Sequence, residues 1–120
     1  MKIAFSTSGN DLNAPLDNRF GRAPKFLIYD LDANTFTLID NQEGLNAARG
    51  AGIQSAQTVA QAGVSCLVTG HCGPKAFQVL SAAGIKIYNT DMPTVAAALE
   101  KYRSGQLAQA TGANVEGHWS

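Results

Sequence analysis

The chain has 120 residues, 45% of them apolar and 15% charged, with nine basic side chains against nine acidic ones. That length suits one domain with a proper core and is short for two, and the composition is globular rather than disordered. A formal charge of zero excludes the basic excess that a broad nucleic-acid or membrane surface needs. No apolar run approaches the roughly 20 residues of a membrane span. Met1-Lys2-Ile3-Ala4-Phe5 enters a strand directly, without the layout of a signal peptide, so a cytoplasmic protein is expected. Two cysteines, Cys66 and Cys72, are too few for a disulfide framework. Cys66 lies in an apolar strand, so no bond between them is expected.

Lys2 to Thr7 places Ile3, Phe5 and Thr7 on one face and Ala4 and Ser6 on the other. Both faces are apolar or small, as in a central strand covered on both sides. Ser8 to Lys25 has no period and carries Gly9, Asn10, Asp11, Asn13, Pro15, Asp17, Asn18, Gly21 and Pro24. A loop of this length in a small domain is usually functional or disordered; Leu16 and Phe20 are expected to tether it. Phe26 to Leu31 and Phe36 to Asp40 are β-rich and joined by Asp32-Ala33-Asn34-Thr35, which predicts a β-hairpin. A second loop, Asn41 to Gly52, leads to a helix over Ile53 to Ala62. That helix has Ile53, Ala56, Val59 and Ala60 on one face and Gly63 as its cap.

Val64 to Thr69 reads as a buried parallel strand. Gly73-Pro74 opens a second helix, Lys75 to Ala83, with Phe77, Leu80 and Ala83 inward. Ile85 to Tyr88 is the last strand. Asp91 or Thr90 caps a third helix begun by Pro93, with Val95, Ala98, Leu99 and Tyr102 as its apolar stripe and Gly105 at its end. Residues 1–107 are expected to form the domain. Residues 108–120 are weakly patterned, and a loosely packed tail is expected there.

This order of elements, with right-handed crossovers, predicts an α/β fold in three layers, α/β/α. Its five-stranded mixed sheet has the order 3-2-1-4-5 with strand 2 antiparallel. The carboxyl ends of strands 1, 3, 4 and 5 then share one edge, where open α/β sheets bind their ligands. The loops leaving that edge are Ser8–Lys25, Asn41–Gly52, Gly70–Pro74 and Asn89–Pro93. They carry Arg19, Arg22, Lys25, Arg49 and Lys75 against Asp11, Asp17, Glu43 and Asp91. Two readings stay open: a solvated loop surface, or an anion site built from helix N-termini, Arg and Lys.

Val68-Thr69-Gly70-His71-Cys72-Gly73-Pro74-Lys75 is the most informative stretch. A strand running into a helix N-terminus leaves backbone N–H groups that favour anions. Cys72 stands just before that helix, where the dipole lowers a thiol pKa. It reads as a metal ligand, a reactive thiol or a small loop residue. His71 could ligate a metal or donate to an anion. A structural zinc site needs about four ligands, yet the only other histidine is His118, in the tail. Cys66 reads as a buried, inert thiol. No nucleophile–base–orienter set is evident, and the GK[ST] core of a P-loop is missing. A ribonuclease H-like nuclease would need carboxylates on the first strand to hold Mg²⁺, and Lys-Ile-Ala-Phe-Ser-Thr has none.

Several short motifs occur together: the opening Met-Lys-Ile-Ala, Arg19-Phe20-Gly21-Arg22-Ala23-Pro24-x-Phe26, and the glycines after strand 3. Thr69-Gly70-x-x-Gly73-Pro74-Lys75-Ala76, Ala83-Gly84-Ile85-Lys86-Ile87-Tyr88 and the closing Gly105-x-Leu107 follow. In this order and spacing they resemble the dinitrogenase iron–molybdenum cofactor biosynthesis family over about residues 1–107. The resemblance implies a ribonuclease H-like fold without nuclease activity. It also implies that the chain binds or carries a metal–sulfur cluster non-covalently. The cargo would be a molybdenum–copper sulfide cluster, as in small single-domain relatives, or an iron–molybdenum–sulfur precursor of the nitrogenase cofactor. Many relatives have a glycine and an aliphatic residue where this chain has His71-Cys72, so a ligand role for that pair would belong to this subgroup.

A thiometallate cluster brings its own sulfides and needs N–H donors, a few cations and an apolar wall. The candidate cluster-binding residues are then Asn10, Arg19, Phe20, Gly21, Arg22, Arg49, Gly50, Gly52, Gly70, Gly73 and Lys75, with His71 and Cys72 as candidate metal ligands. A disordered Ser8–Lys25 loop is expected to admit the cluster. A carrier rather than an enzyme is expected. The alternatives are a regulatory or scaffold domain that docks on a P-loop ATPase or an apo-metalloprotein client, and, more remotely, a thiol enzyme using Cys72.

Overall fold

A computed structural model describes residues 1–41 and 51–110. Glu43, Arg49 and Gly50, and the tail positions Val115, His118 and Trp119, lie outside the described residues.

The sheet is built around β1 (Lys2–Thr7), which is buried from Ile3 onward. β1 pairs antiparallel with β2 (Lys25–Asp30) and parallel with β4 (Cys66–Thr69). β2 continues antiparallel to β3 (Thr35–Asp40), and β4 parallel to β5 (Lys86–Asn89). The order is β3-β2-β1-β4-β5, with β2 running against the rest, as the element order predicts.

Alternation along the strands divides the core in two. Ala4, Phe26, Ile28, Leu67 and Ile87 face α1 (Ala51–Gln61) and α2 (Pro74–Ala82), where Ala56, Val59, Ala76 and Leu80 meet them. Ile3, Phe5, Leu27, Tyr29, Cys66 and Val68 face α3 (Val95–Arg103) through Val95, Ala98 and Leu99. Each Val, Leu, Ile or Phe among them contributes about 1.5–3 kcal/mol by leaving water, and each Ala less. Gly63 and Gly105, at φ 74° and 72°, end α1 and α3 in the left-handed conformation that only glycine adopts cheaply.

Two local expectations are corrected. Ala83 is exposed, not inward. It caps the end of α2, its N–H directed at the carbonyls of Val79 and Leu80, and Ala76 takes the buried position. The third helix starts at Val95 and is capped by Thr94, whose Oγ1 accepts from Ala97 N at 3.1 Å. Thr90, Asp91 and Pro93 all precede that cap. The reason is tertiary: Val95 N donates to Ala14 O and Ala96 N to Leu12 O, so the loop after β1 satisfies the first helical donors.

The outer side of β5 carries a bridge between Tyr88 and Gln109 and a bond from Ala110 N to Ile87 O at 2.7 Å. Among the described residues no helix is long and apolar enough to cross a membrane.

Candidate functional site

The loop after β1 is stitched down rather than disordered, contrary to the expectation of a mobile entrance. Two strand hydroxyls begin the stitching. Thr7 Oγ1 donates to Pro15 O at 2.7 Å. Ser6 Oγ donates to Asp17 O at 2.9 Å and also lies 2.7 Å from Thr69 Oγ1. Since Ser6 has one hydroxyl proton, Thr69 is the donor to Ser6, and the pair ties β1, β4 and the loop together. Asp17 N returns a bond to Ser6 O, and Leu16 N binds Pro93 O.

The loop then crosses the end of β4. His71 N donates to Asn18 O at 2.7 Å, and Phe20 N to His71 O at 3.2 Å, forming a parallel bridge between Arg19 and His71. Gly70 is required here by close approach. A Cβ on it would stand 2.7 Å from both Cα and O of Asn18, well inside van der Waals contact.

Beside this crossing lies an open cleft of about 460 Å³, lined by Asn18, Gly70, His71, Asn89, Thr90 and Asp91. It sits at the carboxyl ends of β4 and β5, and Asn89 Nδ2 holds the Gly70 carbonyl at 3.2 Å. Its lining includes one carboxylate and one imidazole, although most of the surface presented is carbon.

The other candidate residues divide between this edge and the core. Arg19, Arg22 and Lys75 are exposed, respectively beside the cleft bridge, at the end of the 3₁₀ turn Phe20–Arg22, and in the first turn of α2. Gly73 caps α2 without a side-chain oxygen on its first-turn N–H groups. Asn10 is exposed and accepts from Lys25 Nζ, away from the cleft lining. Phe20 is buried, its ring 5.3 Å from that of Phe26. Gly52 is buried within α1.

His71 and Cys72, adjacent in sequence, part company. His71 is exposed on the cleft, whereas Cys72 is 1% exposed and belongs to the core under α1 and α2. Its helix-start position suggests a lowered thiol pKa, but desolvation by burial pushes it up to about 12. The folded protein therefore favours the neutral thiol. Stability from this site is full below the ordinary thiol pKa and falls as pH rises from there toward 12, because the unfolded chain ionises first. Cys72 is expected to resist iodoacetamide at pH 8 in the folded protein and to react on unfolding in urea. Labelling at equal rates in both states would contradict this placement. Cys66 is also buried, with Sγ 3.6 Å from Tyr102 Oη, and the two cysteines are not joined. Among the described residues no group of three or more His, Cys, Asp or Glu is placed to hold a metal ion.

Sequence reasoning missed Asn41 and Ser55. Asn41 Nδ2 donates to Ala23 O at 2.8 Å and to Ser55 Oγ at 3.0 Å, and Asn41 N donates to Pro24 O. Ser55 Oγ reaches Gly21 O at 3.3 Å. Both side chains are buried and lock the 3₁₀ turn onto α1. The available signal was Ser55 itself, a polar residue one turn before inward-facing Val59.

Residues 1–105 match the sequence profile of the family described as dinitrogenase iron-molybdenum cofactor. The apo form of the orange protein from Desulfovibrio gigas is similar in structure at a TM-score of 0.92 and 39% identity, over 95% of this chain and 96% of that one. A Thermotoga protein described as NifB-like superposes with a TM-score of 0.83 and 31% identity, over 95% and 97%. An uncharacterized protein of Methanocaldococcus jannaschii is 29% identical over 110 residues, 89% of each chain. The family profile covers nearly the whole described domain, and the strand order is the one the element order predicts: the chain belongs to the dinitrogenase iron-molybdenum cofactor family.

Proposed function

We propose that this protein binds and carries a metal–sulfur cluster, held non-covalently at the cleft between the ends of β4 and β5, and that it is a carrier rather than a catalyst. The observation that carries the reading is the cleft's position, at the carboxyl edge of the sheet in a chain of the cofactor family. The cargo we assign is a molybdenum–copper sulfide cluster, with an iron–molybdenum–sulfur precursor as the other member of the same class. Such a cargo supplies its own sulfide ligands, which suits a site where no protein ligand cluster is described.

The backbone of Gly70 and the start of α2 at Gly73 offer the polar contacts. Asp91 is the acid of the cleft lining among the described residues, and we assign the balancing positive charge to Arg19, Arg22 and Lys75, exposed on the loops and helix start that leave this edge. His71 is the side chain we assign to the cluster, and Cys72 to the packing beneath.

The test is anaerobic reconstitution of the apoprotein with tetrathiomolybdate and Cu(I). A coloured complex of fixed stoichiometry is expected, and no uptake would overturn the reading. Arg19→Gln, Arg22→Gln and Lys75→Gln together should weaken binding and flatten its dependence on salt. Unchanged affinity in that variant would place the cargo elsewhere. His71→Ala should change the absorption spectrum of the complex, not only its affinity.

A further inference from the structure

The sheet treats its two edges differently. β5 is covered by the chain's own Gln109 and Ala110. β3 has no strand on its outer side among the described residues. Exposed edges are normally blunted by lysine, proline, bulges or shortness. β3 has none of these: it is six residues, Thr35-Phe36-Thr37-Leu38-Ile39-Asp40, in unbroken register with β2. Of the three large apolar side chains exposed among the described residues, Phe36 and Leu38, at 37% and 38%, stand on this strand. They share a face, opposite Tyr29 and Leu27 of β2, and so extend the apolar layer under α3 out to the edge.

We infer that β3 pairs antiparallel with β3 of a second copy, joining two five-stranded sheets edge to edge. The sequence of the strand selects the register. A two-fold axis normal to the sheet keeps each side chain on its own face only when the axis passes through a residue. Through Thr37, it sets Phe36 opposite Leu38 of the second copy, and Leu38 opposite Phe36. Thr35 then faces Ile39, and Asp40 lies just past the end of the pairing, toward the turn at Asn34. An axis through Phe36 would leave Leu38 opposite Asn34, in the turn outside the strand, and one through Leu38 would set Phe36 against Asp40. Aromatic–aliphatic cross-strand pairs stabilise, and only the axis through Thr37 gives both Phe36 and Leu38 apolar partners within the strand.

Charge completes the match. Arg103 Nη2 donates to Asn34 Oδ1 at 3.2 Å, with Nη1 3.8 Å from Glu100, so Asp40 of the second copy is carried toward the turn that Arg103 holds, once on each side of the axis. The pairing lies on the far side of the sheet from the cleft, at β3 rather than at β4 and β5, and is independent of the cargo.

Two six-residue strands make an interface of the small class, below about 1,200 Å², so the dimer forms at high concentration and dissociates on dilution. Sedimentation velocity across a wide concentration range should show the average mass rising from 12.6 kDa toward twice that value. Leu38→Lys should stay monomeric at every concentration with an unchanged melting temperature. Asp40→Lys should weaken association, and Asp40→Lys with Arg103→Asp should restore it. Thr37→Cys, on the axis, should crosslink under mild oxidation while Thr35→Cys does not; the native cysteines are buried and do not interfere. A wild-type monomer throughout, association of Leu38→Lys equal to wild type, or equally fast crosslinking at Thr35→Cys would overturn the inference.

Discussion

Phe20→Ala is expected to lower stability by about 3–5 kcal/mol, the usual range for emptying a buried aromatic site. Phe20 is 2% exposed, packs at 5.3 Å against Phe26, and shares the α1–α2 core with Ala23 and Cys72. The side chain pins the loop after β1 at its far end, just beyond the bridge between Arg19 and His71. Its removal would therefore leave a void that the backbone bonds of the bridge must hold open. Urea unfolding should show a lower midpoint with little change in slope. Phe20→Leu keeps most of the volume and should cost less than about 1.5 kcal/mol. A midpoint for Phe20→Ala near that of wild type would mean that the ring lies outside the core, at the edge where Phe20 is also a candidate contact of the cluster.

Gly70→Ala is the second large effect. The added methyl would lie 2.7 Å from backbone atoms of Asn18, and backbone cannot swing aside as a flexible side chain can. Overpacking of this kind costs about 1–3 kcal/mol. The strain falls on the bond from His71 N to Asn18 O, which fixes one wall of the cleft. Part of the cost should therefore appear as weaker cargo binding, about tenfold for each 1.4 kcal/mol that reaches the site. Thermal melting and titration with the reconstituting cluster read the two parts separately. A Gly70→Ala protein that melts and loads like wild type would mean that the approach of Asn18 to Gly70 relaxes at no cost. The two variants differ in kind: Phe20→Ala acts through lost burial and should leave the bridge between Arg19 and His71 itself intact, whereas Gly70→Ala acts through that bridge.

The sheet was legible because its signals are local. The alternation of Lys2–Thr7, the turn between Phe26–Leu31 and Phe36–Asp40, and the apolar run ending at Thr69 each fix an element from a few neighbouring residues. Handedness then fixes their order. The convergence of the loops at one edge follows from strand direction alone, and the cleft at Gly70, His71, Asn89 and Asp91 lies on that edge. The chain by itself thus determined the strand order, the edge and the family motifs.

Tertiary structure decided which way individual side chains point and where the irregular segments run. Nothing near His71 and Cys72 in sequence says that one faces the cleft and the other the core. That depends on Asn18 and Phe20 bonding the backbone on either side of His71. The start of α3 depends likewise on carbonyls of Leu12 and Ala14, some 80 residues earlier in the chain. Asn41 and Ser55 become partners only when α1 packs on the 3₁₀ turn. A hydrogen bond between distant residues leaves no periodicity in the sequence, whereas burial of a strand face or a helix stripe does.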